Sequence, residues 1–225
     1  MTSLVAILAS PYNNGATESL GMSIVDPVAY PVFTAPPAES LLRLSVEQYH
    51  DMARKGILTD EDRVELLEGL LVRKMTFSPA HHRATHRVQE ALRKRIPVGY
   101  YVASPCSVAL PTSEPEPDAA IVRGASDDYV DHHPAPADVA LVVEVSDSSL
   151  RHDQTFKKSL YARSSLSVYW IVNLVDRRVE VYSDPTGDVD LPDYRTRRYF
   201  GETEQVPLVL DGRSLAEIPA RELLP

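Results

Sequence analysis

Two acids stand out because their neighbours are apolar. Glu144 ends the run Ala140-Leu141-Val142-Val143, and Asp118 opens the run Ala119-Ala120-Ile121-Val122. An unpaired carboxylate is costly in a dry interior, so such a group protonates, pairs or binds a cation. In open α/β sheets, sites gather where strands end, and neighbouring strand ends would bring both acids within reach of one ion. Oxygen-only ligands favour Mg2+ or Mn2+. The plainer alternative is that Glu144 pairs with an arginine, Arg151 or Arg123. A third acid, Glu65 in "RVELLEG", lies in or beside a short strand on the face opposite Val64 and Leu66. Alone it reads equally well as a solvent-facing strand residue.

Hydrolysis of a phosphodiester at paired carboxylates also needs a cation to bind the phosphate and stabilise developing charge. Two residues after Glu144 stands Ser146, which cannot serve. The following helix offers Arg151, Lys157, Lys158 and Arg163. With Phe156 and Leu160 marking the buried direction, Lys157 lies about 60° from Leu160 and Lys158 about 160° from it. On that geometry Lys157 can reach inward, with Asp153 and Tyr161 one turn away on either side, and Lys158 faces solvent. An ordinary surface lysine is the alternative for both.

These residues need a scaffold, and the pattern supplies one. "SVEQYHDMARKGIL" reads as a helix capped by Ser45, with Val46, Tyr49, Met52 and Ala53 on one stripe and a stop at Gly56. "RVELLEGLLVRKM" reads as two strands turning near Glu68-Gly69. "HHRATHRVQEALRKRI" places Ala84, Val88, Ala91, Leu92 and Ile96 on one helical face, ended by Pro97. "YYVASP", "CSVALP" and "DAAIV" read as three short extended runs. "DVALVVEV" reads as a strand covered on both faces. A helix over about 153–163 follows, then "SVYWIVNL" and "RRVEVYS" as a hairpin around Asp176-Arg177, then closing strands and a short terminal helix. The expected fold class is α/β, a mixed central β-sheet flanked by α-helices.

Residues 1–40 carry five prolines and no basic residue and read as a loosely ordered extension before a domain at 41–225, with Met22 an alternative start. The single cysteine, Cys106, excludes a disulfide framework and points to a reducing cytoplasm. No basic n-region precedes the short apolar opening, and no apolar run is long enough to span a membrane. The formal net charge of −9 argues against a sequence-blind nucleic-acid coat protein but not against a nuclease, whose local field matters more. Residues 73–95 hold seven Lys/Arg, three His and one acid, Glu90, which reads as a basic helix face.

The ordered set "VELLEG…SPAHH…PEPDAAIV…LVVEVSDSS…FKKSLYA…VYWIVN…RRVEVY" resembles the bacterial restriction-endonuclease family of the Uma-two type, within the PD-(D/E)xK nuclease superfamily. The likeness spans roughly residues 44–220. It implies a restriction-endonuclease-like core that hydrolyses DNA with Mg2+ (or Mn2+). By position, Asp118 after Pro117 matches the motif aspartate and Glu144 the second acid. Ser146 stands where the superfamily lysine is often found, and Lys157 matches a lysine supplied from the following helix. Glu65 matches the acid of an early hairpin, while Leu70 departs from that hairpin's last glutamate. A histidine after the "SP" turn is common in the family; His81, His82 and His86 compete, with His82 favoured. His82, Arg83 and Arg87 are the candidates for contact with the DNA backbone, and a homodimer is an expected way to cut two strands. The rivals are a nuclease fold that has lost its chemistry and binds DNA or protein, and a two-carboxylate glycosidase, for which the aromatic content is low.

Overall fold

The computed structural model describes Pro37, residues 40–74 and residues 78–225. The readings of the proline-rich extension and of Met22 therefore lie, apart from Pro37 and Ser40, outside the described residues. From the extension onward the chain runs α1 (Val46–Arg54), the hairpin β1 (Val64–Leu67) and β2 (Leu70–Arg73), α2 (Pro79–Arg93), β3 (Tyr100–Ala103), β4 (Ala119–Arg123) and β5 (Val139–Ser146). It continues through α3 (Leu150–His152), a π-helical turn (Asp153–Lys157), α4 (Lys158–Arg163), β6 (Val168–Asn173), β7 (Arg178–Pro185), β8 (Tyr194–Gly201), β9 (Gln205–Leu210), β10 (Arg213–Pro219) and α5 (Ala220–Leu223).

The most apolar run of the chain becomes the interior of its main sheet. Six strands lie in the order β3-β4-β5-β6-β7-β8. β5 is buried along its whole length, as its run of branched apolar residues requires. β5 and β6 are parallel, and the other neighbouring pairs are antiparallel. A parallel pair needs a crossover over the sheet face, and the helical segment from Leu150 to Arg163 supplies it. This is the mixed α/β sheet expected from the pattern.

Each face of the sheet carries its own core. On one, Ala84, Val88, Ala91 and Leu92 of α2 pack with Val143, Val145 and Trp170, joined by Leu208 and Ile218 of the β9–β10 hairpin. On the other, Leu67 of the β1–β2 hairpin and Leu160, Tyr161 and Ala162 of α4 pack with Val142, Tyr169 and Tyr182. The caps follow the local chemistry. Ser45 and Gln48 form a reciprocal capping box on α1, and Ser78 caps α2 with Pro79 in its first turn. The β1–β2 turn places Glu68 and Gly69 at φ 48° and 76°, the left-handed pair that a tight hairpin needs. α1 is shallower than its stripe implies, with no fully buried residue.

Three expectations change. "CSVALP" forms no strand: Cys106, Val108 and Leu110 are buried, but Pro105, Pro111, Pro115 and Pro117 remove ladder donors from the whole connection, which closes on itself through Val108 N–H to Pro115 O at 3.0 Å and Leu110 N–H to Ser113 O at 2.9 Å. The crossover helix begins at Leu150 rather than Asp153. Phe156 is 38% exposed instead of marking the buried direction. The π turn adds a residue to one turn and rotates Phe156 outward, where it stacks on His152 at 5.3 Å between ring centroids.

Candidate active site

The sheet register explains how two acids distant in sequence meet. β4 and β5 pair Ala120 with Val142 and Ala119 with Val143, so one step further along the register Asp118 stands opposite Glu144. The backbone N–H of Val145 donates to Asp118 Oδ2 at 2.8 Å and fixes the carboxylate there. β1 brings the third acid from the hairpin packed over this face. Glu65 is buried, and its Oε2 accepts the N–H of Glu116 at 3.1 Å. Lys157 enters from the π turn, with its Nζ 3.0 Å from Glu144 Oε1 and 3.3 Å from Glu65 Oε2. The widened turn sets Asp153, Lys157 and Tyr161 on the buried side, and the Tyr161 hydroxyl donates to Glu144 Oε1 at 2.8 Å. Neither Arg151 nor Arg123 is the partner of Glu144; Arg123 pairs with Asp211.

Glu65, Asp118, Glu144 and Lys157 line one cavity of about 190 Å3, together with Lys74, His81, Glu116 and Asp147. Among the described residues, each of the three acids makes its side-chain hydrogen bonds and ion pairs through one oxygen. On Glu144 both bonds fall on Oε1, on Asp118 they fall on Oδ2, and on Glu65 they fall on Oε2. The opposite oxygens take none of these bonds, and carboxylate oxygens are the ligand type that hard divalent cations take.

The electrostatics are those of a crowded acidic site. Burial pushes the Glu144 carboxyl well above the usual carboxylate range; Lys157 opposes that shift, and Asp153, Asp118 and Glu65 add to it. Burial works against the charge on Lys157, yet Glu144, Glu65 and Asp153 hold its ammonium well above the ordinary lysine value. Burial likewise raises Asp153, against Lys157 and the hydroxyls of Ser149 and Ser146, which donate to it at 2.6 and 2.7 Å. Ser146 therefore supports the acid one turn before Lys157.

Lys158 points away from the acids. It is not left in solvent, since it pairs with Asp193 at 2.8 Å over the ring of Tyr182. The three histidines of α2 separate as the helix turns. His81 is buried with its Nε2 3.2 Å from Asp118 Oδ2, whereas His82 and His86 are exposed. Burial disfavours protonation of His81, but the hydrogen bond that it donates to Asp118 and the charges of Asp118 and Asp147 raise it above the usual histidine value. His82 lines a larger groove of about 860 Å3 beside α1, which shares Lys74, His81, Glu116 and Asp118 with the acid cavity. Arg83 is exposed, and Arg87 donates to the backbone carbonyls of Arg221 and Leu224, which commits it to the C-terminal segment. Glu116 and Lys74, an ion pair in the wall of both spaces, escaped the sequence reading. Glu116 lies two residues before Asp118 and was legible in "PEPD"; nothing local marked Lys74.

Comparison with known proteins gives a family and a fold. The model of the Uma2 family, described as "Putative restriction endonuclease", matches residues 46–217. Among curated proteins none matches. A solved structure titled as a putative nuclease belonging to DUF820 from Anabaena variabilis ATCC 29413 superposes with a TM-score of 0.55 at 11% identity, covering 76% of this chain and 96% of that one. That likeness is one of fold. Among the described residues no helix is long and apolar enough to cross a membrane.

Proposed function

The chain belongs to the Uma2 family, and from that premise we propose that it is a divalent-metal-dependent endonuclease that hydrolyses DNA phosphodiester bonds. The observation that carries the reading is the convergence of Glu65, Asp118 and Glu144 from three strands or strand ends on one cavity, around the buried ammonium of Lys157. The donor set fits Mg2+ or Mn2+, all oxygen, with one oxygen of each carboxylate outside its protein bonds. Bound there, such an ion supplies Lewis-acid polarisation of the phosphate and a more acidic water. The residues do the rest. Lys157 carries a fixed positive charge beside the cleavage position, where it offsets charge that develops on the phosphate. His81 and the Val145 N–H hold Asp118 in one orientation. The groove lined by His82, Thr85 and Tyr49 gives the strand a path to the acids. The proposed catalytic domain is residues 41–225.

The test is cleavage of supercoiled plasmid by the purified chain with Mg2+ or Mn2+ and with chelator. Asp118→Ala and Glu144→Ala should each abolish metal-dependent nicking and leave the circular dichroism spectrum intact. Unchanged nicking by both variants overturns the reading. One observation favours a second reading, a nuclease fold kept as a DNA- or protein-binding module: Lys157 already pairs with both Glu144 and Glu65, a closed set that is satisfied without an ion. Calorimetric titration with Mn2+ separates the two, because the module has no need to bind the ion at these acids.

A further inference from the structure

A second group of metal-ligand side chains lies outside the acid cavity. His50 comes from α1, Glu114 from the connection between β3 and β4, and His133 from the connection between β4 and β5. His50 Nε2 is 2.6 Å from Glu114 Oε2, and His133 Nε2 is 3.6 Å from Glu114 Oε1. One ligand atom from each residue lies within 4.8 Å of the others. Around a tetrahedral ion with the usual zinc bond lengths, neighbouring ligand atoms are about 3.3 Å apart. The two separations, one to each oxygen of Glu114, lie on either side of that value, so side-chain rotations that turn one oxygen toward both rings would complete the set.

The chemistry of Glu114 is the independent reason to expect an ion. Its side chain is 5% exposed, and its two oxygens face one histidine each. A buried carboxylate protonates, is hydrogen-bonded or lies beside a positive charge. Imidazole supplies one only when protonated, whereas a divalent ion supplies it and takes neutral imidazoles as ligands. The side chains of His50 and His133 are 36% and 47% exposed, which leaves a solvent-facing position for a further ligand such as water. Two nitrogens and one oxygen suit zinc-class ions better than the all-oxygen cavity does.

We propose that His50, Glu114 and His133 bind a zinc-class divalent ion in a site separate from the acid cavity. The ion would tie α1 to two connections that are distant in sequence. Glu114 also donates its N–H to Leu66 O at 2.7 Å, beside Glu65, and stands four residues before Asp118. The clip therefore braces the backbone that carries two of the three acids. The proposal does not rest on the nuclease reading, and its test reads metal content rather than cleavage.

The experiment loads the full, tag-free chain with Zn2+, dialyses it and measures metal by mass spectrometry, with Co2+ absorption as a probe of nitrogen ligation. One zinc per chain is expected. His133→Asn and His50→Asn should each weaken zinc by roughly 100-fold or more, above what loss of an outer-shell partner costs. They should also remove the zinc-dependent rise in melting temperature. Asp118→Ala should keep its zinc. Absence of zinc from the wild-type chain, or zinc retained by both histidine variants, overturns the proposal. So does zinc lost from Asp118→Ala but kept by His133→Asn, which would place the ion beside His81 instead. His133 is half exposed, so His133→Asn decides the matter if His50→Asn fails to fold.

Discussion

Glu144 and Glu180 occupy the same rung of the sheet. Ile171 of β6 pairs with Glu144 on one side and with Glu180 on the other, so the two carboxylates stand two strands apart on one face. Both are buried, yet their surroundings differ. Glu180 accepts from the Tyr182 hydroxyl at 2.6 Å, Asn173 at 2.7 Å, Gln154 at 2.9 Å and two nitrogens of Arg178 at 2.9 and 3.0 Å. Burial alone would raise it, but these donors outweigh burial and hold Glu180 below the usual carboxylate range. Among the described residues Glu144 receives Lys157 and Tyr161, both on one oxygen, beside three further acids, and it is raised. Burial thus does not separate a structural carboxylate from one available to a ligand. The number of donors does, because a carboxylate whose lone pairs are all taken has none to give an ion.

The strongest test of this contrast exchanges the two. Glu144→Gln should abolish Mn2+ binding and lower metal-dependent cleavage by about a thousandfold or more, the scale of losing an essential electrostatic group. Glu180→Gln should leave both intact. Equal losses from the two variants would break the distinction. Lys157→Met comes next, because it strands Glu144 and Glu65 without a counter-charge. Urea denaturation should show about 3–5 kcal/mol of lost stability, partly restored when Glu144→Gln is added. An additive double variant would show that the pair is not coupled.

A smaller effect should appear with pH. The folded value of Glu180 is depressed, so its contribution is full above the unfolded glutamate value and is lost as pH falls through the folded one. The stability gap between the wild-type chain and Glu180→Gln should therefore be largest near neutrality and should close below about pH 4. A gap that widens in acid contradicts the assignment. The smallest effect is expected at Lys158. Lys158→Ala breaks a pair with an Asp193 that is 43% exposed, which is worth about 1 kcal/mol or less, and cleavage should be unchanged. Loss of cleavage in Lys158→Ala with retention in Lys157→Met would reverse the assignment of the two lysines.

Much of this molecule is legible in one dimension. Ser45 and Gly69 mark a cap and a turn because those preferences are decided within a few residues. The run through Val143 predicts a strand covered on both faces, and it makes the isolation of Glu144 visible. Periodicity also separates Lys157 from Lys158. It fails at Phe156, because a fixed 100° step cannot anticipate a π turn. Local signals do not choose among His81, His82 and His86, since all three lie within about a turn and a half of one helix. Only the packing of α2 against the start of β4 sets His81 beside Asp118.

What the sequence determined by itself, then, is the set of elements and the short inventory of acids and lysines that could do chemistry. The tertiary structure decided which of them share a cavity, which oxygens take the hydrogen bonds, and why Glu180 is surrounded by donors while Glu144 is not. The physical reason is range. Helix, strand and cap preferences act between near neighbours, whereas hydrogen-bond saturation and desolvation depend on groups such as Gln154, Asn173 and Glu65 that only the folded chain brings together.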